Sequence, residues 1–357
     1  MIVAGGGTGG HLFPGLAVAE CIAGGAAEQV LFVGSRFGIE ARVIPQSRFA
    51  FRALSIRGLR GRGLGGALQL AVQLPVAIGR AWRIVGEFHS QLVLGVGGYA
   101  SFPVVVAAWL RGIPSVLLEQ NARPGLANRL LARLARCVCT SFSEANAYFP
   151  VGKAKLTGNP VRPLTAPAAV PRRAFTLLVF GGSHGAHRIN QAVHAAAQHL
   201  CKAIPSLRII HQTGVGDRDW LSERYTALGI TADVQEFIDD MGWAYGQADL
   251  VVCRAGATTV AELTALGKAA ILVPYPFAAD DHQRANANVL AAHGAAILLP
   301  DQELTEARLA ATIIELAGEG ERRGAMEAAA RGLGVPDAAV RVARVCREVV
   351  GEVGADD

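Results

Sequence analysis

The sequence predicts an α/β protein of two similar halves, each a parallel sheet covered by helices. Three observations carry that prediction. At 357 residues the chain is too long for one ordinary core and suits two. Hydrophobic residues make up 51% and charged residues 18%, which supplies ample core and excludes a disordered chain. A unit of apolar strand, glycine loop and helix opens the chain and recurs from Thr176, so the halves are expected to face each other across a ligand cleft.

Residues 1–4 form the first strand and run into Gly5, Gly6, Gly7, Thr8, Gly9, Gly10 and His11. Pro14 is expected in the first turn of a helix continuing to Ile22. The loop offers backbone N–H groups to a ligand, although its spacing departs from a dinucleotide fingerprint. His11, at the helix mouth, is either a general base or a structural histidine. Further strands follow at 30–34, 92–99 and 115–118, with a helix near 102–111. The third of these ends in Glu119, Gln120 and Asn121, at the strand end where open α/β sheets bind ligands. A helix near 126–134 and a strand at 137–140 complete the first half.

Net charge is +5, and its distribution is uneven. No acidic residue lies between Glu40 and Glu87, whereas Arg42, Arg48, Arg52, Arg57, Arg60, Arg62, Arg80 and Arg83 fall inside with Leu68, Leu74, Ile78 and Trp82. Basic and apolar residues together suit an anionic membrane surface; the alternative is a buried strand and helix with arginines on the rim. Too few aromatics interleave for a nucleic-acid footprint. No uncharged run is long enough to span a bilayer, and no signal peptide is expected.

Residues 157–163 and 166–171, rich in glycine, proline and alanine, read as a linker. Beyond it come a strand at 176–180, a second glycine loop at 181–185 containing Ser183, and a helix at 189–200. Strands at 207–212 and 233–237 precede Ile238. The most informative stretch is 253–283, where a strand ends at Cys253, Gly256 opens a turn, and residues 258–266 have helical spacing. Unpaired N–H groups at such a helix start favour phosphate. Glu262 lies one turn beyond Thr258, either as a ligand for sugar hydroxyls or as a solvated helix residue. A strand at 270–274, a helix at 281–293, a strand at 296–299 and helices at 303–318 and 321–332 follow. The amphipathic segment 338–350 is expected to cross back to the first half.

Asp217 with Asp219 reads as an acidic helix start, and Asp280 with Asp281 as caps, in preference to metal ligands. No metal site and no cofactor is expected. His184 and His187 lack a third ligand for zinc. The six cysteines are scattered and read as reduced core thiols.

The segments GGTGGHLFPGLAVAE (6–20), GNPVR (158–162), GGSHGA (181–186), EFIDDM (236–241) and the stretch from Cys253 to Glu262 resemble, in order and over nearly the whole chain, the MurG family of bacterial cell-wall glycosyltransferases. The resemblance implies two Rossmann-like domains of GT-B architecture. Residues 1–161 would form the acceptor and membrane-facing domain, with 336–357 packing back on it, and 162–335 the UDP-N-acetylglucosamine domain. It further implies inverting transfer of N-acetylglucosamine to lipid I, making lipid II for peptidoglycan, cell shape and division. His11 would be the base; Thr8, Gly9 and Gly10 would line the cleft; Asn121 would reach the sugar. Arg162 and Ser183 would contact the diphosphate, and Ile238 the uracil. Ala257, Thr258, Thr259, Val260, Ala261 and Glu262 would cradle the nucleotide, with Glu262 on the ribose and Gln283 on the sugar hydroxyls. The implied partners are UDP-N-acetylglucosamine, lipid I, anionic lipid on the cytoplasmic face of the inner membrane, and other wall-synthesis and division proteins. His184 and His282 stand where glutamine is common in the family. A diacylglycerol glycosyltransferase of the same fold is the nearest alternative; a dinucleotide oxidoreductase and a non-catalytic scaffold are more distant ones.

Overall fold

A computed structural model describes residues 1–56, 63–162, 174–182 and 185–353, with residues 63–72 and 352–353 in their backbone alone. The chain divides into two compact units, Met1–Arg162 with Pro336–Asp357, and Pro163–Val335. The expected 166–171 linker lies outside the described residues.

In the first unit β1 (Ile2–Gly5), α1 (Gly9–Ala23), β2 (Leu31–Ser35), α2 (Glu40–Val43), β3 (Ala50–Leu54) and α3 (Gly63–Glu87) come first. They are followed by β4 (Val93–Gly97), α4 (Ser101–Leu110), β5 (Ser115–Glu119), α5 (Leu126–Leu131), β6 (Cys137–Thr140) and β7 (Ala154–Leu156). All strand pairs are parallel, in the order β3-β2-β1-β4-β5-β6-β7. Central strands such as β1, β4 and β5 are buried throughout, as expected of a parallel sheet with helices on both faces.

The second unit contains β8 (Phe175–Phe180), α6 (His187–Ala203), β9 (Leu207–Gln212), α7 (Arg218–Ala227), β10 (Thr231–Gln235), α8 (Met241–Gln247) and β11 (Leu250–Cys253). Then come α9 (Ala257–Leu266), β12 (Ala270–Leu272), α10 (His282–Ala292), β13 (Ala296–Leu298), α11 (Glu306–Gly318) and α12 (Gly320–Leu333). The sheet order β10-β9-β8-β11-β12-β13 repeats the doubly wound Rossmann order. Thus the chain has the two Rossmann-like domains its sequence predicts. The last helix, α13 (Ala338–Val353), belongs to the first unit, where Val342, Val345, Cys346 and Val349 join the core cluster of Val3, Leu12 and Val18.

Two expectations need correction. Helix α1 begins at Gly9 with Thr8 as its N-cap residue, so Pro14 lies inside the helix and not in its first turn. Packing overrides propensity here: the preceding turn is fixed by contacts from elsewhere in the sheet, described below. Asp281 occupies the N-cap position of α10 but makes no capping bond from its side chain. Both Asp280 and Asp281 hold a left-handed backbone, φ +52° and +53°, a conformation that bends the chain sharply into α10.

All six cysteines are free thiols, buried at Cys137, Cys139, Cys253 and Cys346. Among the described residues no helix is long and apolar enough to cross a membrane.

Candidate functional site

In a doubly wound sheet the chain leaves the central pair of strands in opposite directions, and ligands collect outside their carboxyl ends. In the first unit that pair is β1 and β4, and their glycine turns interlock. Gly6 N–H donates to the Gly97 carbonyl at 3.2 Å. A Cβ on Gly98, φ +78°, would run into the Gly6 carbonyl. His11 lies on this seam: its Nδ1 is 3.1 Å from Thr8 Oγ1, and its ring covers Gly97, where an added Cβ would meet Cδ2 at 2.7 Å. Thr8 is exposed, while Gly9, Gly10 and His11 are half-buried.

The first glycine loop does not present all its N–H groups to a ligand, contrary to expectation. Gly6 donates to Gly97, and Gly7 donates to Glu40 Oε2 at 2.7 Å. A neighbouring carboxylate also makes the loop a poor phosphate cradle.

At the end of β5, buried Glu119 accepts from the Asn121 N–H at 3.0 Å, from Asn121 Nδ2 at 3.2 Å and from Asn128 Nδ2 at 2.9 Å. Burial raises its pKa, and these bonds work against the rise. The half-buried side chain of Asn121 is thereby held at the strand end. Arg162 is also in this unit, with its guanidinium 5.4 Å from the Phe13 ring on α1.

In the second unit the central pair is β8 and β11. Gly256 leads from β11 into α9 with φ −65° and ψ 145° and gives no side-chain cap to the helix start. Thr258 and Thr259 are half-buried in its first turn. Glu262 is 7% exposed, and its Oε2 accepts the Tyr245 hydroxyl at 3.0 Å, so it is not a solvated helix residue. Ala257 and Val260 are buried and Ala261 half-buried. Gln283 Oε1 accepts the Tyr275 N–H at 2.9 Å, which joins the 275–281 turn to α10. Ile238 buries its side chain after β10.

Several supporting residues escape a reading by pattern. Arg254, 9% exposed, pairs with Asp301 at 2.6 Å and donates to the Val273 and Pro274 carbonyls. Fully buried Asn286 donates to the Ala255 carbonyl at 3.2 Å. Together they anchor residues 254 and 255, which lead into the turn that opens α9.

The second glycine loop is anchored through α6 and β9. Gln212 Nε2 donates to the Gly182 carbonyl at 2.9 Å. Asn190 Nδ2 donates to the Thr213 carbonyl at 2.8 Å and to Asp217 at 2.7 Å. Since that amide oxygen can only accept, His211 Nε2, 3.0 Å away, is the donor, and His211 Nδ1 receives the Tyr225 hydroxyl at 2.8 Å. Burial lowers the His211 pKa to about 3, so the ring is neutral. Asp217 starts α7 as expected; burial opposes its ionisation, yet bonds from His187, Asn190 and Trp220 hold its pKa below the ordinary value. Ser183 and His184 lie outside the described residues. Among the described residues no group of three or more His, Cys, Asp or Glu is placed to hold a metal ion.

The basic and apolar window contains β3 and α3. Leu74 packs partly against the core, Ile78 is half-buried, and Arg80 reaches Ser55 Oγ at 3.3 Å. Trp82 is 46% exposed and stacks under Arg111 at 3.6 Å. Arg111 follows exposed Trp109 and Leu110 at the end of α4, and Arg83 is exposed as well. The Leu68 side chain lies outside the described ones.

Comparison with known proteins follows the same division. Residues 1–140 match the glycosyltransferase family 28 N-terminal domain, and residues 176–342 the family 28 C-terminal domain. A protein of Syntrophotalea carbinolica called UDP-N-acetylglucosamine–N-acetylmuramyl-(pentapeptide) pyrophosphoryl-undecaprenol N-acetylglucosamine transferase is 48% identical, over 99% of both chains. The protein of that name from Myxococcus xanthus is 46% identical, over 98% of this chain and 93% of the relative. Among solved structures, Acinetobacter baumannii MurG superposes with a TM-score of 0.78 at 31% identity, covering 97% of this chain and 98% of that one.

Proposed function

The chain belongs to the MurG family within glycosyltransferase family 28, and from that premise we infer that it moves N-acetylglucosamine from UDP-N-acetylglucosamine to the muramoyl sugar of lipid I, giving lipid II. It is thus a UDP-N-acetylglucosamine-dependent hexosyltransferase of peptidoglycan synthesis. The observation that carries the donor chemistry is the uncapped start of α9 with buried Glu262 one turn behind it. A helix N-terminus stabilises a diphosphate, and a carboxylate accepts from ribose hydroxyls.

In the mechanism we propose, the C4 hydroxyl oxygen of the acceptor attacks the anomeric carbon as the bond from that carbon to the UDP oxygen breaks, with inversion. His11 takes the hydroxyl proton. UDP leaves with the bonding pair, and its growing charge is met by the start of α9, by Ser183 and by Arg162. Ala257 to Ala261 line the nucleotide, Ile238 meets the uracil, and Asn121 and Gln283 hold the sugar. Thr8, Gly9 and Gly10 line the acceptor side.

Because the acceptor hangs on an undecaprenyl chain, the enzyme works at a membrane. We assign the contact, peripheral and on the cytoplasmic side, to Trp82, Arg80 and Arg83 with Leu68, Leu74 and Ile78, and exposed Trp109 and Leu110 extend it. The test is purified protein with UDP-N-acetylglucosamine and either a short-chain lipid I analogue or diacylglycerol. Lipid II formation supports the assignment; transfer to diacylglycerol alone overturns it.

A further inference from the structure

Glu40 is 1% exposed, an unusual place for a carboxylate, and the chemistry described above does not use it. Its two oxygens answer two backbone donors: Oε2 accepts Gly7 N–H at 2.7 Å, and Oε1 accepts Ser35 N–H at 2.7 Å. The surrounding chain is shaped to admit it. A Cβ on Gly6, Gly34 or Gly38 would collide with the Glu40 side chain. At Gly38, whose φ is not left-handed, the three nearest atoms a Cβ would meet all belong to the Glu40 carboxyl group.

We propose that Glu40 is a positioning residue for the transfer reaction, acting through the first glycine loop. Gly5, Gly6 and Gly7 have φ of +139°, +134° and +88°, a turn with many alternatives open to glycine. The charge-assisted bond to Gly7 selects one of them. The next residue, Thr8, occupies the N-cap position of α1 without a capping bond from its side chain; its carbonyl accepts the His11 N–H and its hydroxyl lies 3.1 Å from His11 Nδ1, so the orientation of the Gly7 peptide passes directly to the imidazole over Gly97. The Ser35 bond ties the same carboxylate to the end of β2, which makes the sheet the reference frame for the histidine. A glutamine cannot replace it, because its amide would turn a donor toward one of the two N–H groups.

The kinetic arm of the test rests on His11 being the base; the exchange arm does not. In full-length Glu40→Gln, amide hydrogen exchange in residues 5–12 should quicken by about tenfold, with residues 175–212 unchanged. At saturating substrates kcat should fall by about a hundredfold, while KM for UDP-N-acetylglucosamine stays within about twofold. That loss should vanish on a His11→Ala background. Unchanged exchange in 5–12, a rise spread evenly over both units, or an equal loss of kcat on both backgrounds overturns the proposal. If His11→Ala retains full activity, the base assignment falls, and exchange in 5–12 alone decides the role of Glu40. Should Glu40→Gln fail to fold, Gly38→Ala displaces the carboxylate without removing its charge, and the same signature is expected.

Discussion

Glutamine at position 262 would keep the shape of the side chain and remove its charge. In the protein Glu262 is held from one side by the Tyr245 hydroxyl at 3.0 Å, at the base of an uncapped helix start. A bond to a charged acceptor contributes about 1.5–3 kcal/mol and a neutral one about 0.5–1.5, so two ribose hydroxyls would lose about 2–3 kcal/mol between them. That predicts UDP binding weakened by about 30- to 150-fold in Glu262→Gln. Titration calorimetry with UDP reads this directly, and a 2′,3′-dideoxy analogue isolates its cause. The wild type should discriminate strongly against the analogue, and the variant should discriminate little. Weakening below about threefold, or undiminished discrimination in the variant, would refute the placement of Glu262 on the ribose. Tyr245→Phe is the control for packing: it should cost about 1 kcal/mol of stability and keep the discrimination.

Removing one partner of a buried ion pair strands the other, so Asp301→Ala should cost about 3–5 kcal/mol in urea unfolding by leaving Arg254 unpaired. His211 gives a pH signature. Its folded pKa of about 3 lies below the ordinary 6.5, so as pH falls through that window the unfolded chain binds a proton that the native ring refuses, and stability is lost. Glu119, with a raised pKa, acts in the opposite sense above its ordinary 4.5, so wild type is compared with His211→Gln. Their difference in unfolding free energy should fall by about 2 kcal/mol from about pH 6 to about pH 4.5, and a flat difference would show that the ring is not buried neutral. Arg80→Ser with Arg83→Ser should weaken cosedimentation with vesicles containing phosphatidylglycerol by about thirtyfold at low salt, and equal loss on neutral vesicles would speak against electrostatic contact.

The buried strands were legible because a parallel sheet demands apolar residues on both faces; β6 and β9 span the residues expected of them, 137–140 and 207–212. The edge strands of the first sheet were not, whereas those of the second, β10 and β13, were. β3 and β7 are largely exposed and short, so Ala50–Leu54 hid inside an arginine-rich window and Ala154–Leu156 gave no pattern at all. Glycine turns and helix mouths were legible as sites because backbone chemistry is local. Their supports were not, since Glu40 lies 33 residues from Gly7 and Asp301 lies 47 residues from Arg254, distances over which only the folded chain brings charges together. A lone acid ahead of a long acid-free window was the only trace Glu40 left in the sequence.

The repeat of strand, glycine loop and helix is a repeat of backbone, and the mechanism proposed above divides the chemistry between the two units. In the first unit the loop spends the Gly6 and Gly7 donors inside the protein, one of them on a carboxylate, and what it brings forward is an imidazole. A phosphate brought to that loop would find the Gly7 N–H already bonded to a buried carboxylate. In the second unit Gly256 gives the mouth of α9 no side-chain cap, and the nearby cation Arg254 is neutralised by Asp301 and committed to backbone carbonyls. What this unit brings to an anion there is the helix start, to which the proposed mechanism adds Ser183 and Arg162. The proposed division, with the nucleotide on the second unit and proton transfer on the first, accords with the Gly6 and Gly7 donors being spent inside the protein. If UDP were found bound at Gly5–Thr8, that reasoning would fail even with lipid II as the product.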